Sequence, residues 1–131
     1  MIAEIVGLAL ILDGDSLVLS NQRVRLHGID APEMSQTCSG TPCGERAKFV
    51  LQTLSDGKIR CVPTGEKSYN RLIAKCYRGN IDLSREMVRH GWAVAYRRYS
   101  LDYASDEEYA REGKLGIWKT NFILPEVYRH R

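Results

Sequence analysis

A chain of 131 residues, 44% hydrophobic and 27% charged, can bury roughly two-thirds of the surface its unfolded form exposes and is too apolar for disorder throughout. Its formal net charge of +3 leans toward polyanionic partners but is too small to decide one, so the placement of the arginines matters more than their total. The longest apolar run, Ile5 to Leu12, falls far short of the ~20 residues that cross a bilayer, so no membrane association is expected, and no basic leader or cleavage site precedes it.

In chain order, residues 2 to 12 and 17 to 20 read as strands broken at Gly14, and a turn over Ser20 to Gln22 leads into a third strand from Arg23 to Ile29. Asp13 and Asp15 are two positions apart, so on extended chain their carboxylates share a side. Taken alone, D-G-D reads equally well as a polar turn. Arg25 and Asp30 are an odd number of positions apart, and a regular strand would send them to opposite faces. A bulge or strand end at Gly28 would bring both into one pocket. Asp30-Ala31-Pro32-Glu33 then leaves the sheet as a turn stiffened by proline. His27 is given no role, since a lone histidine on a strand is more often a surface side chain than a ligand.

Met34 to Pro42 reads as loop. Thr41-Pro42 predicts a helix start, with Ala47, Val50, Leu51 and Leu54 on one apolar face and Ser55-Asp56-Gly57 as the stop. Strands are expected over Lys58 to Val62 and Leu72 to Tyr77, with a charged, turn-rich loop between them. Arg71 stands where that loop re-enters the sheet, suited to reach a cleft or to pair with Glu66. Asp82 reads as the cap of a second helix, Leu83 to His90, and a third is expected over about Leu101 to Lys114. Between them W-A-V-A-Y-R-R-Y interleaves aromatics with Arg97 and Arg98, which could stack on bases and meet phosphates or simply pack. Leu115 to Trp118 should turn back onto the body, and Phe122 to Arg131 carries no interpretable motif.

Four cysteines lack the paired C-x-x-C spacing of a zinc ribbon. Cys61 and Cys76 fall on segments that could be cross-strand neighbours, and Cys38 and Cys43 bracket a short loop. At least one disulfide, and with it an oxidising compartment, is the expectation. Without repeats or a linker, residues 1 to 131 read as a single domain. Strands first and helices later indicate α+β, a small closed or partly closed sheet with helices on one side.

The chemistry-bearing residues are acidic groups for a hard divalent cation, a separate glutamate and two arginines. Calcium or magnesium suits the oxygen donors, and an arginine fork suits phosphate, which points to phosphodiester chemistry. D-G-D-S at 13 to 16, R-L-H-G-I-D-A-P-E at 25 to 33, Y-N-R at 69 to 71, G-W-A at 91 to 93 and G-I-W at 116 to 118 together resemble the staphylococcal nuclease family, in family order across nearly the whole chain.

That resemblance implies a five-stranded OB-fold β-barrel with three α-helices. It also implies calcium-dependent cleavage of DNA and RNA at low sequence specificity, leaving 3′-phosphates. Single-stranded or denatured substrate would be preferred, and no obligate protein partner is implied. Asp15, Asp30 and the Ala31 carbonyl would bind Ca2+ with Asp13 close by. Glu33 would activate water, Arg25 and Arg71 would hold the phosphate, and Tyr69, Tyr96 and Tyr99 would line the nucleotide site. Family habit favours a secreted or periplasmic protein, with a cytoplasmic one still open. Four positions depart from the founding member, with Ser16 and Ala31 each replacing a threonine, Ser68 a lysine and Asn70 a glycine, and the loop from Met34 to Gly44 is shorter. The alternative is a non-catalytic nucleic-acid-binding or interaction module of the same fold.

Overall fold

The computed structural model describes residues 3–131. Its first strand bends at Ala9 into β1, Ile5–Leu8, and β2, Leu10–Asp13, and is followed by β3, Ser16–Leu19, and β4, Gln22–Leu26. The expected strand start at residue 2 lies outside the described residues. β5, Ile29–Asp30, precedes helix α1, Cys43–Leu54. The hairpin β6, Lys58–Ser68, and β7, Arg71–Arg78, follows, and β8, Ile81–Asp82, leads directly into α2, Leu83–Arg89. β9, Val94–Ala95, α3, Ala104–Glu112, a 3-10 turn over Gly116–Lys119 and α4, Pro125–Arg129, complete the chain.

Hydrogen bonding runs β1-β6-β7-β4-β3-β2. The two ends of that path, β1 and β2, are separated in sequence by Ala9 alone, so the sheet curls round on itself as an OB-like half-barrel. Among the described residues nine strand segments therefore stand where five strands were expected, because the bend at Ala9 and the turn at Gly28 each divide a run, and β8 and β9 are two-residue extras. The class remains α+β. A fourth helix, α4, joins the expected three.

Alternation builds the core. Leu17, Leu19, Val24 and Leu26 are wholly or almost wholly buried, each worth roughly 1.5–3 kcal/mol relative to exposure. Ala47 and Leu51 of α1 and Leu83, Met87 and Val88 of α2 cover the same core. α1 lies on β2 and α2 on β7. Asp82 caps α2 as expected, accepting the Arg85 N–H at 3.3 Å. Thr41 does not cap α1. The cap position is Pro42, which has no side-chain donor or acceptor to offer.

Both cysteine pairs are bonded, Cys38 to Cys43 across the loop before α1 and Cys61 to Cys76 between the facing strands β6 and β7. Among the described residues no helix is long and apolar enough to cross a membrane.

Candidate active site

Among the described residues β4 and β7 are the one parallel pair, with Arg25 opposite Ile73. Val24 and Ala74 take the core face of that pair, so Arg25 and Ile73, and Arg71 two residues before Ile73, project from the other face. The sheet register thus sets the two predicted arginines beside one cleft. Strand β4 ends at Leu26. Gly28, at φ +77°, re-phases the chain before Ile29, and any Cβ there would stand 2.8 Å from the Tyr103 ring. Arg25 consequently donates to the Ile29 carbonyl at 3.1 Å and meets Asp30 at 3.4 Å and Asp15 at 3.2 Å, despite the parity of its position.

The cleft holds about 560 Å³ and is lined by Asp13, Asp15, Arg25, Glu33, Arg71, Tyr69, Tyr96 and Tyr99 among others. Asp30 and Ala31 are buried, 1% and 2% exposed, and Asp30 reaches the cleft through the guanidinium groups that grip it. Asp15 accepts the Ala31 N–H at 2.8 Å, which ties the D-G-D turn to the proline-stiffened turn. Asp13 accepts the Asp15 N–H and the Ser16 hydroxyl. Burial, and after it the charge of Asp15, pushes the Asp13 carboxyl up to about 6. Burial opposes the charge on Arg25, but Asp15 and Asp30 outweigh it and hold the guanidinium more basic than usual.

Arg71 closes the two-residue turn between β6 and β7. Its guanidinium donates to the Ser68 hydroxyl at 3.0 Å and to the Ser68 carbonyl, so the serine that replaces a family lysine serves to hold the arginine. The left-handed residue of this turn is Tyr69, at φ +59°, rather than Asn70. Tyr69 is 95% exposed at the rim. Tyr96 meets Tyr99 edge to face at 4.8 Å, and the Arg25 guanidinium stands over the Tyr96 ring. Arg98 reaches the cleft while paired with Glu126 at 2.8 Å. Arg97 is turned away, held by Glu107 of α3 at 3.0 Å, and takes no part. His27 pairs with Asp102 at 3.0 Å.

Two site residues carry no sequence signal. Gln36, 1% exposed, accepts the Glu33 N–H and donates to the Ile123 carbonyl, and the backbone of Gly44 packs so closely on the Glu33 carbonyl that a Cβ would collide with it. Arg129 of α4 reaches into the cleft and pairs with Asp30 at 2.9 Å and Glu33 at 2.7 Å. Its hydrogen bonds to Asp30, opposed by burial and reinforced by Glu33, hold it more basic than an ordinary arginine. Among the described residues no three His, Cys, Asp or Glu side chains come together in the geometry of a metal cluster. One oxygen of Asp15 and both oxygens of Asp30 are engaged by arginines.

A curled mixed sheet with carboxylates and arginines converging in one open cleft is the architecture of a protein that handles a phosphate group. A family model for staphylococcal nuclease homologues matches residues 23–120, and the chain belongs to that family. It is 35% identical over 130 residues to an uncharacterized endonuclease of Haemophilus influenzae, covering 92% of this chain and 70% of that one. It is 30% identical over 124 residues to the succinoglycan biosynthesis protein ExoI of Rhizobium meliloti, covering 88% of this chain and 65% of that one. A probable staphylococcal-like nuclease of Oryza sativa, CAN1, is 31% identical over 108 residues, 80% of this chain and 31% of that one. The chain thus spans just under two-thirds of the Rhizobium protein and less than a third of the rice one. Two of these relatives are named as an endonuclease and a staphylococcal-like nuclease.

Proposed function

We propose that the chain is a calcium-dependent nuclease that hydrolyses phosphodiester bonds of DNA and RNA with low sequence specificity and leaves 3′-phosphates. The observation that carries this reading is the meeting of Arg25, Arg71 and Glu33 in the cleft above Asp15 and Asp30. The donors fit a hard cation, because they are all oxygen and because Asp13, Asp15 and Glu33 line one cleft with Asp30 held beside it. Asp15, Asp30 and the Ala31 carbonyl would hold Ca2+ with Asp13 nearby, and the ion would supply charge neutralisation at the scissile phosphate.

Glu33 takes the proton of the attacking water as its oxygen bonds to phosphorus. The bond to the 5′-oxygen breaks, so one water is added across it in all. Arg25 and Arg71 hold the non-bridging oxygens, where charge accumulates in the transition state. Little base reading is expected, since these groups address phosphate. The exposed rings of Tyr69 and Tyr99 favour unpaired bases, and hence single-stranded or denatured substrate. The two disulfides support placement in an oxidising compartment, by secretion or in a periplasm.

The test is digestion of denatured DNA and of RNA at mildly alkaline pH, with calcium and with excess chelator, on the wild type and Glu33→Gln. Cleavage of both substrates only with calcium, nearly lost in the variant, is the expected result. A folded protein that binds single-stranded DNA and cuts nothing would instead be a non-catalytic binding module.

A further inference from the structure

Resting on that reading, we infer that Arg129 is an intramolecular counter-ion for the metal-free site, which the cation must displace from Asp30 and Glu33 in order to bind. One guanidinium nitrogen donates to both Asp30 Oδ1 and Glu33 Oε1, at 2.9 and 2.7 Å, and another donates to Asp30 Oδ2 at 3.1 Å. Both oxygens of the buried Asp30 carboxylate are therefore occupied by α4, together with the carboxylate assigned to water activation. Arg25 reaches Asp30 only at 3.4 Å, so Arg129 is its principal partner.

The charge balance explains why an arginine fits there. Asp13, Asp15, Asp30 and Glu33 face Arg25, Arg71 and Arg129 around one cleft, whose other charged lining residues, Glu66, Glu126, Lys67 and Arg98, cancel two against two. With Arg129 withdrawn, four carboxylates face two arginines, and the unmatched charge equals that of a single divalent cation. With Arg129 in place, the cation meets a site already nearly neutral, its oxygens taken and a positive group a few ångströms away.

The carrier is built to yield. α4 has five residues, and of its flanking apolar side chains Leu124 and Val127 are 50% and 53% exposed, leaving Pro125 as its buried anchor. Few apolar contacts and largely polar ties mark a segment that opens locally at small cost. Those ties are Gln36 to the Ile123 carbonyl, Ser35 to the Tyr128 hydroxyl and Arg98 to Glu126. The Arg129 side chain is itself 30% exposed and can leave the carboxylates without moving the sheet.

Calorimetric titration of the chelator-stripped full chain with Ca2+ alone, for wild type, Arg129→Gln and Arg129→Lys, tests this, with thermal unfolding in chelator measured alongside. A coupling between two ligands of this kind is typically 5- to 150-fold, so Arg129→Gln should bind calcium at least about tenfold more tightly than wild type. It should also unfold at a lower temperature in chelator. Arg129→Lys, with charge but no fork, should fall between them, and it carries the test should the glutamine variant fail to fold. Calcium binding by wild type that neither variant exceeds in affinity overturns the inference and leaves the proposed function standing. Calcium binding by none of the three overturns the calcium reading, and this inference with it.

Discussion

Gln36 Oε1 accepts the backbone N–H of Glu33 at 3.1 Å, and the same amide donates to the Ile123 carbonyl at 2.6 Å. A single buried side chain thereby fixes the glutamate assigned to water activation and the segment that leads to α4. Gln36→Ala leaves two partly buried backbone groups short of a partner, a loss of about 1 kcal/mol each, the lower end of the range for buried groups. Chemical denaturation should show a loss of that order, and turnover should fall with KM little changed, because a misplaced Glu33 costs the reaction more than it costs binding. An unchanged denaturation midpoint with full turnover would show that Gln36 holds nothing in place.

Glu33→Gln and Arg71→Ala should each lower turnover at least about a hundredfold, the usual consequence of removing one electrostatic donor or the general base of such a site. Among the described residues Ser68 alone anchors the Arg71 guanidinium, so Ser68→Ala should act in the same direction more mildly, by freeing the guanidinium rather than deleting it. Single-turnover rates on a short oligonucleotide would measure this. Near-normal rates in both Glu33→Gln and Arg71→Ala would sink the mechanism.

How much of this was legible beforehand depended on the range of each interaction. The apolar alternation of Leu17, Leu19, Val24 and Leu26 and the cap at Asp82 are local, and so was the need for a break at Gly28 to bring Arg25 and Asp30 together. At the β6–β7 turn the sequence shows only that Asn70 stands where the founding member has a glycine, while the hairpin places the left-handed residue one position earlier, at Tyr69. The sequence leaves Arg97 open to phosphate or to packing, and α3, by offering Glu107, decides for packing. Arg129 left no trace at all. Its partner Asp30 lies 99 positions earlier, and a five-residue helix has too few turns to show a periodicity.

The disulfides should differ in what they protect. Cys61–Cys76 closes a separation of 15 residues between facing strands, and loop-closure entropy puts its contribution near 3 kcal/mol. Replacing both by alanine should lower stability by about that much or more. Cys38–Cys43 closes only five residues, but Cys43 adjoins Gly44, which packs on Glu33, and its sulfur lies 3.5 Å from the Gln36 carbonyl. Replacing this pair should cost less stability and proportionally more turnover. Thiol titration of the unreduced, denatured protein should find no free thiol; four would remove both arguments.

Tyr103 provides a pH signature of the fold independent of the cleft. Its ring is buried against Gly28 and its hydroxyl donates to Asp82 at 2.8 Å, so burial first, and then the carboxylate, hold its pKa far above the usual tyrosine range. The unfolded chain ionises near pH 10 while the folded one stays neutral. The contribution is therefore complete below pH 10 and is lost as pH rises above it, by about 1.4 kcal/mol per pH unit. At pH 8, Tyr103→Phe should cost about 1.5–3 kcal/mol for the missing hydrogen bond to a carboxylate. That deficit should shrink by about 2 kcal/mol toward pH 11.5, because phenylalanine has no proton to lose. Urea unfolding of both proteins across this range measures the difference directly, and a deficit constant from pH 8 to pH 11.5 would mean that the native Tyr103 hydroxyl ionises as readily as the unfolded one.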